Sequence, residues 1–282
     1  MPIRYPEILS LTSEGQRFSW TERDTMLYAL GVGMGADPMN ERELPFVYEN
    51  GLKALPTQAV VAAWGAGPPM SGMINYLMVV HGEQAMTLHR PFPTEGEITA
   101  DGRILGAYDK GPGKGAVIYS ETTLKLADGS PLATLVSSTF ARGDGGFGGP
   151  SEGAPEPHKT PERAPDMSVD IATRPDQALI YRLSGDRNPL HSDPNIAKAA
   201  GFPRPILHGL CTYGITGRAV LQTYADYDPA AIKHHQARFS SPVFPGETVT
   251  VDLWRDGDEV SFEARIKDRG VTVIRNGLTR LG

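Results

Sequence analysis

A single cysteine, Cys211, stands in the 282 residues, so no disulfide can form within the chain and a cysteine-based zinc site would lack its ligands. A reducing compartment is the simplest expectation. Cations are not in excess either: 27 basic against 33 acidic residues give a net charge of -6, too little positive charge for a nucleic-acid partner to be expected. Long apolar runs are also missing, because Thr57 to Trp64 and Met73 to Val80 fall well short of the roughly 18 residues a membrane span needs. Met1 to Ser10, with Arg4, Pro6 and Glu7, does not read as a signal peptide, and Arg280-Leu281-Gly282 is not a Ser-Lys-Leu peroxisomal address. The expected location is the cytoplasm.

Glycine and proline, 32 and 24 residues, are over-represented against a usual share of roughly 12%. Much of the excess lies in the 23 residues 143–165, which hold six glycines and five prolines and almost no large apolar side chain. Such a segment reads as an exposed, mobile linker. It divides the chain into 1–142, 143–165 and 166–282. The two flanking parts rhyme. Ala237 to Thr250 runs as apolar strand, Pro-Gly turn, Glu247 and a β-branched strand, and Thr87 to Thr99 follows the same order of apolar residue, proline, turn, glycine and acid. Period-two alternation continues through Val249, Val251 and Leu253, then Val260, Phe262, Ala264 and Ile266, and is answered by Ile98 to Leu105, Ala116 to Leu126 and Pro131 to Phe140. Each half therefore ends in about four antiparallel strands.

Ahead of the second strand set, Leu207 to Tyr224 is apolar nearly all round, which is the pattern of a helix buried under a sheet. Its counterpart in the first half is Thr57 to Trp64. Two sheets, each gripping one helix and related as a duplicated pair, make an α+β fold.

The stretch Tyr181-Arg-Leu-Ser-Gly-Asp-Arg-Asn-Pro-Leu-His191-Ser-Asp-Pro194 carries the chemistry. Gly185 and Pro189 forbid a continuous helix, so this is a shaped loop able to aim Asp186, Asn188 and His191 at one point: two proton carriers and a neutral orienting amide. Some fifteen residues on, Pro205-Ile-Leu-His-Gly209 opens the buried helix. A helix N-terminus presents unpaired N–H groups, and Gly209 leaves its amide open to a developing oxyanion. Beside it, His208 reads as a structural or capping residue at the substrate end.

These three segments, the Tyr-Arg-Leu-Ser-Gly-Asp-Arg-Asn-Pro-Leu-His loop, the Leu-His-Gly helix start and Arg-Phe-Ser-Ser-Pro-Val-Phe-Pro-Gly-Glu, closely resemble the hydratase 2 motif of MaoC-like (R)-specific enoyl-CoA hydratases. The resemblance covers most of the chain, more strongly in its second half. It implies a double hot-dog fold and reversible syn addition of water to trans-2-enoyl-CoA, giving (3R)-3-hydroxyacyl-CoA, with no cofactor and no metal. By the same resemblance Asp186 and His191 are the catalytic acid–base pair, Asn188 helps to hold the water and the Gly209 amide holds the thioester oxygen. His208 would lie against the substrate, and Lys233, Arg238 and Arg90 are the cations offered to coenzyme A phosphates at a sheet edge. The first half departs from the motif: aligning Tyr28-Ala-Leu-Gly31 on Tyr181-Arg-Leu-Ser184 leaves Val32 and Gly33 at the places of Gly185 and Asp186, and no histidine follows. That half is expected to shape the acyl pocket without catalysing.

Other patterns carry less. Gly149-Pro-Ser-Glu-Gly153 imitates a nucleophile elbow but lies in the linker, and Gly111-Pro-Gly-Lys-Gly115 reads as a hairpin turn. Adjacent His234 and His235 would face opposite sides of a strand, and Cys211 belongs to the helix core. Alternatives to the hydratase are a dehydratase of acyl carrier protein or specialised acyl-CoA substrates, a hot-dog thioesterase, which would release free thiol, and a non-catalytic acyl-CoA-binding protein, which would have no use for the Asp186, Asn188 and His191 set. A homodimer through sheet edges is expected, since the double unit itself resembles a pair of single units.

Overall fold

The computed structural model describes residues 3–282. Ten strands form one sheet: β1 (Thr12–Trp20), β2 (Val79–Leu88), β3 (Gly96–Asp109), β4 (Ala116–Lys125), β5 (Pro131–Ala141), β6 (Met167–Ala172), β7 (Ile232–Phe239), β8 (Thr248–Asp256), β9 (Glu259–Ile266) and β10 (Val271–Leu281). Their order is β1-β3-β4-β5-β2-β7-β10-β9-β8-β6, every pairing antiparallel. The expected two sheets are therefore two five-stranded halves fused at a seam, where Glu83 to Thr87 of β2 pair with Arg238 to His234 of β7. The fifth strand of each half, β1 or β6, precedes the four that the alternation marks.

The helices are α1 (Glu22–Gly31), α2 (Ala59–Ala62), α3 (Gln177–Tyr181), α4 (Pro194–Ala199) and α5 (Gly209–Tyr224). Only α5 is the long buried helix expected of a hot-dog unit. Leu210, Tyr213, Ile215, Val220 and Leu221 are buried, and beneath them the second half offers Val249, Val251, Leu253, Phe262 and Ala264. Its first-half counterpart is a four-residue helix, shorter than Thr57 to Trp64, because Ala63 leaves helical geometry, Gly65 takes a positive φ and Pro68 and Pro69 cannot continue the ladder. The first half instead leans on α5. Cβ atoms built at Gly214 and Gly217 would meet Val32 Cγ1 at 2.5 Å and Thr57 Cγ2 at 2.7 Å, so these two glycines are what let the halves touch. A buried ion pair adds to this contact: Arg218 on α5 bonds Glu43 at 2.7 Å and donates to Gly33 O, while Glu43 accepts from Gly35 N–H.

The 143–165 segment is pinned to the outer face of the sheet, not loose as its composition suggested. Asp109 accepts backbone N–H groups from Gly146 and Gly148, His158 bonds Ser261, Asn276 donates to His158 O and Trp254 donates to Arg163 O. It is a strap held at both of its ends.

Candidate active site

The loop after α3 is built by its own punctuation. Gly185 sits at φ 139°, and a side chain there would have its Cβ 2.9 Å from Trp64, so both conformation and space demand glycine. Asn188 caps the 3-10 turn at residues 189–191 through Oδ1 to Leu190 N–H, and Asp186 Oδ1 accepts Asn188 N–H at 3.0 Å. That turn carries His191 inward. Asp193, immediately before α4, caps that helix by accepting from Asn195 N–H.

His191 is buried and donates Nδ1–H to Ile206 O at 2.9 Å, which leaves the lone pair on Nε2. Nε2 lies 3.8 Å from Asp186 Oδ2. That gap is too long for a direct hydrogen bond but suits one water shared by both atoms. Burial holds the His191 pKa below its ordinary value, against the opposing pull of Ile206 O and Asp186. The imidazole is thus neutral at pH 7 and able to accept a proton.

His208 stacks on His191 with ring centres 3.7 Å apart, meets the Tyr181 ring at 5.0 Å and a 50° tilt, and its Nε2–H donates to Asp186 O at 3.1 Å. Burial pushes its pKa down to about 3, so it is a neutral brace for the catalytic loop. Asp186, His191 and His208 lie close enough for a metal to be considered. The two rings, however, are 26° from parallel, so their in-plane lone pairs run side by side and do not converge on one ion.

The N-terminus of α5 follows directly, since His208, stacked on His191, is its N-cap residue. Its first bonded amides are those of Cys211 and Thr212, both to His208 O, and among the described residues the amides of Gly209 and Leu210 have no backbone acceptor. Phe239 closes on Gly209, with ring atoms 3.3 Å from where a Cβ would stand, and His81 packs on Phe239 at 4.9 Å.

Two cavities open from this point. One, of about 160 Å³, runs under α2 between Trp64, Leu210 and the inner face of the first half. The other, of about 440 Å³, passes His81 and Phe239 to Arg238, Lys110 and Lys114, with Pro155 and Pro157 of the strap as a wall. A third, of about 130 Å³, lies under the strap beside Tyr119 and adjoins none of the catalytic groups.

Asp186, Asn188, His191, His208 and Gly209 are thus brought together, and Arg238 lines the second cavity, although it also lies 3.8 Å from Glu83. Lys233 and Arg90 are not brought there. They sit toward the other end of the seam from His81 and Phe239, with Lys233 roughly 17 Å along β7 from Arg238 at the usual rise per residue. Sequence reasoning missed Trp64, His81, Lys110 and Lys114. Lys114 lies in the Gly111 to Gly115 turn and Lys110 just before it, but only the strand registers show that this turn meets the start of β2.

Known proteins agree with this architecture. Residues 156–276 match the MaoC like domain, and residues 18–143 match the MFE-2 hydratase 2 N-terminal domain. An enoyl-CoA hydratase of Mycobacterium tuberculosis is 44% identical over 99% of this chain and 98% of its own length. The peroxisomal enoyl-CoA hydratase 2 of Arabidopsis thaliana is 38% identical over 92% of this chain and 89% of its own. Among solved structures, a MaoC-like dehydratase from Phytophthora capsici superposes with a TM-score of 0.88 at 33% identity, covering 99% of this chain and 98% of that one.

Proposed function

This chain belongs to the MaoC-like dehydratase family, with a hydratase 2 N-terminal domain as its first half, and from that premise we propose that it is an (R)-specific enoyl-CoA hydratase. It adds water reversibly to trans-2-enoyl-CoA. The observation that carries this reading is the 3.8 Å spacing of His191 Nε2 and Asp186 Oδ2, with His191 stacked on His208, the N-cap residue before the α5 amides that lack backbone acceptors among the described residues.

A water bonded to both side chains lies beside C3 of an enoyl thioester whose carbonyl oxygen accepts from Gly209 N–H. As the water oxygen bonds to C3, one O–H bond breaks and its proton passes to the pair, while the C2–C3 π electrons move toward the thioester oxygen. The helix amides meet that developing negative charge where it is greatest. The pair then delivers a proton to C2 on the same face, which makes the addition syn, and the catalyst is left as it began. Water supplies every atom added, so the balance calls for no redox partner. Asn188 holds the Asp186 carboxylate through its backbone N–H and presents its side-chain amide to the water.

The cationic cavity supports coenzyme A as the carrier. Lys110, Lys114 and Arg238 lie beyond His81 from the catalytic loop, where the phosphates of a bound coenzyme A would run. The 1–142 part is then a pocket-shaping half and 166–282 the catalytic half, bridged by the strap.

Crotonyl-CoA and a longer trans-2-enoyl-CoA, followed by enoyl-thioester absorbance beside a thiol assay and chiral analysis, test the reading. Loss of absorbance without thiol release and with a (3R) product is expected. Release of free thiol would identify a thioesterase instead, and inertness toward every CoA ester would move the substrate to a carrier protein.

A further inference from the structure

The inner face of the first half carries a row that a simple hydrocarbon pocket has no use for. Gln84 on β2, Ser137 on β5 and Ser120 on β4 are direct cross-strand neighbours, and Thr122 stands one step along on the same face. The serine hydroxyls are 3.1 Å apart, and all four residues line the cavity that begins at Trp64 and Leu210 beside the catalytic loop. Gln84 is 5% exposed and spends its amide hydrogens on Ala85 O and Val136 O, so its carbonyl end is the part left for the cavity. The next rows on this face, Met86 with Leu135 and Leu88 with Ala133 and Leu124, are apolar apart from Thr122.

The second half satisfies its own polar groups internally: beside the apolar Val251, Leu253, Phe262 and Ala264, His235 of β7 and Thr279 of β10 are buried, bonded to each other at 2.7 Å and capped by Thr216 of α5 at 3.1 Å. Where α2 stops short, the polar row is instead left open to whatever fills the cavity. A methylene chain laid against these groups would strip their water and return no hydrogen bond, which costs affinity. Apart from His81, which burial pushes down to about 4 and so leaves uncharged at pH 7, no acidic or basic side chain lines this cavity among the described residues, so a carboxylate or ammonium on the chain would find no counter-charge.

We infer that the acyl groups this protein takes carry a neutral oxygen function, a hydroxyl or a ketone, on the chain beyond C3, and that Gln84, Ser120 and Ser137 recognise it. The inference rests on the hydratase reading. Gln84 and the serines offer both acceptors and rotatable donors, which suits a hydroxyl best.

The test compares kcat/KM of the full chain for trans-2-octenoyl-CoA with its 6-, 7- and 8-hydroxy analogues. At least one hydroxylated substrate should exceed the parent by about five- to tenfold, the worth of a hydrogen bond or so. A Ser120→Ala/Ser137→Ala variant, small enough in change to keep the fold, should bring that ratio toward one, and Gln84→Leu should invert it. Preference of the native protein for the plain chain over all three analogues, or an unchanged ratio in the double-serine variant, overturns the inference and leaves the polar row as a hydrated surface. Failure to hydrate even crotonyl-CoA would overturn the hydratase reading and this inference with it, so the two failures are separable.

Discussion

The two halves of the sheet carry the same strand order around different contents. In the second, apolar rows from β8 and β9 are sealed by sixteen residues of α5, and the loop before α5 holds Asp186 and His191. In the first, α2 lasts four residues, the motif loop has Val32 and Gly33 where the glycine and acid should be, and the uncovered face bounds a cavity. The strand ladder survives without a helix of its own because α5 serves both sides, through Gly214, Gly217 and the Arg218–Glu43 pair. Duplication thus frees one copy from the demands of its own core. That copy can then hold a substrate where the other holds a helix.

This division of labour can be broken in order of severity. Asp186→Asn and His191→Ala should each lower kcat by about 10² to 10⁴ while the circular dichroism and melting curve stay native, since each positioned proton carrier is worth that much; a folded variant with near-native turnover would move catalysis elsewhere. Glu43→Gln strikes the shared helix. It leaves Arg218 buried with half its partners, and urea unfolding should show a loss of roughly 3 to 5 kcal/mol, as for other broken buried pairs.

Acid should strain both halves. Burial pushes His208 and His235 down to about 3, His81 to about 4 and His191 below its ordinary value. Between pH 6.5 and 5 the unfolded chain binds protons that the folded one refuses, so stability falls as pH falls, by about 1.4 kcal/mol per unit for each fully refused proton. His235→Gln should flatten that slope in urea midpoints taken at pH 7, 6 and 5. The smallest effect is on the cationic cavity: Lys110→Ala/Lys114→Ala should raise KM for a CoA ester a few-fold, as exposed charges are individually weak, while Lys233→Ala and Arg90→Ala should leave it unchanged.

What could be read from the chain alone follows the range of the forces involved. The catalytic loop was legible because glycine, proline and asparagine shape backbone within a few residues, and α5 because an all-round apolar helix has only one place to go. The strap misled because its fate depends on partners far away in sequence: Asp109 gathers the amides of Gly146 and Gly148, and Ser261 meets His158. Register decided the cations. Lys233 and Arg90 were singled out and Lys110 and Lys114 were not, because only strand pairing sets which end of the seam each occupies. The brevity of α2 was written in Gly65, Pro68 and Pro69, yet Ala59 to Trp64 alone reads as an ordinary helix start.

The seam has a further consequence during synthesis. Within its own half β2 is the last strand of the ladder, and its free side is covered only when β7, residues 232–239, pairs with it. Until then a nascent chain shows a bare strand edge, the kind of template that recruits any other unpaired strand. Residue 83 must find residue 238, a contact of high sequence separation that forms slowly. A second unfolded chain offers the identical β7, so crowded refolding favours exchange of halves between molecules, and dilution should restore pairing of β2 with the β7 of its own chain.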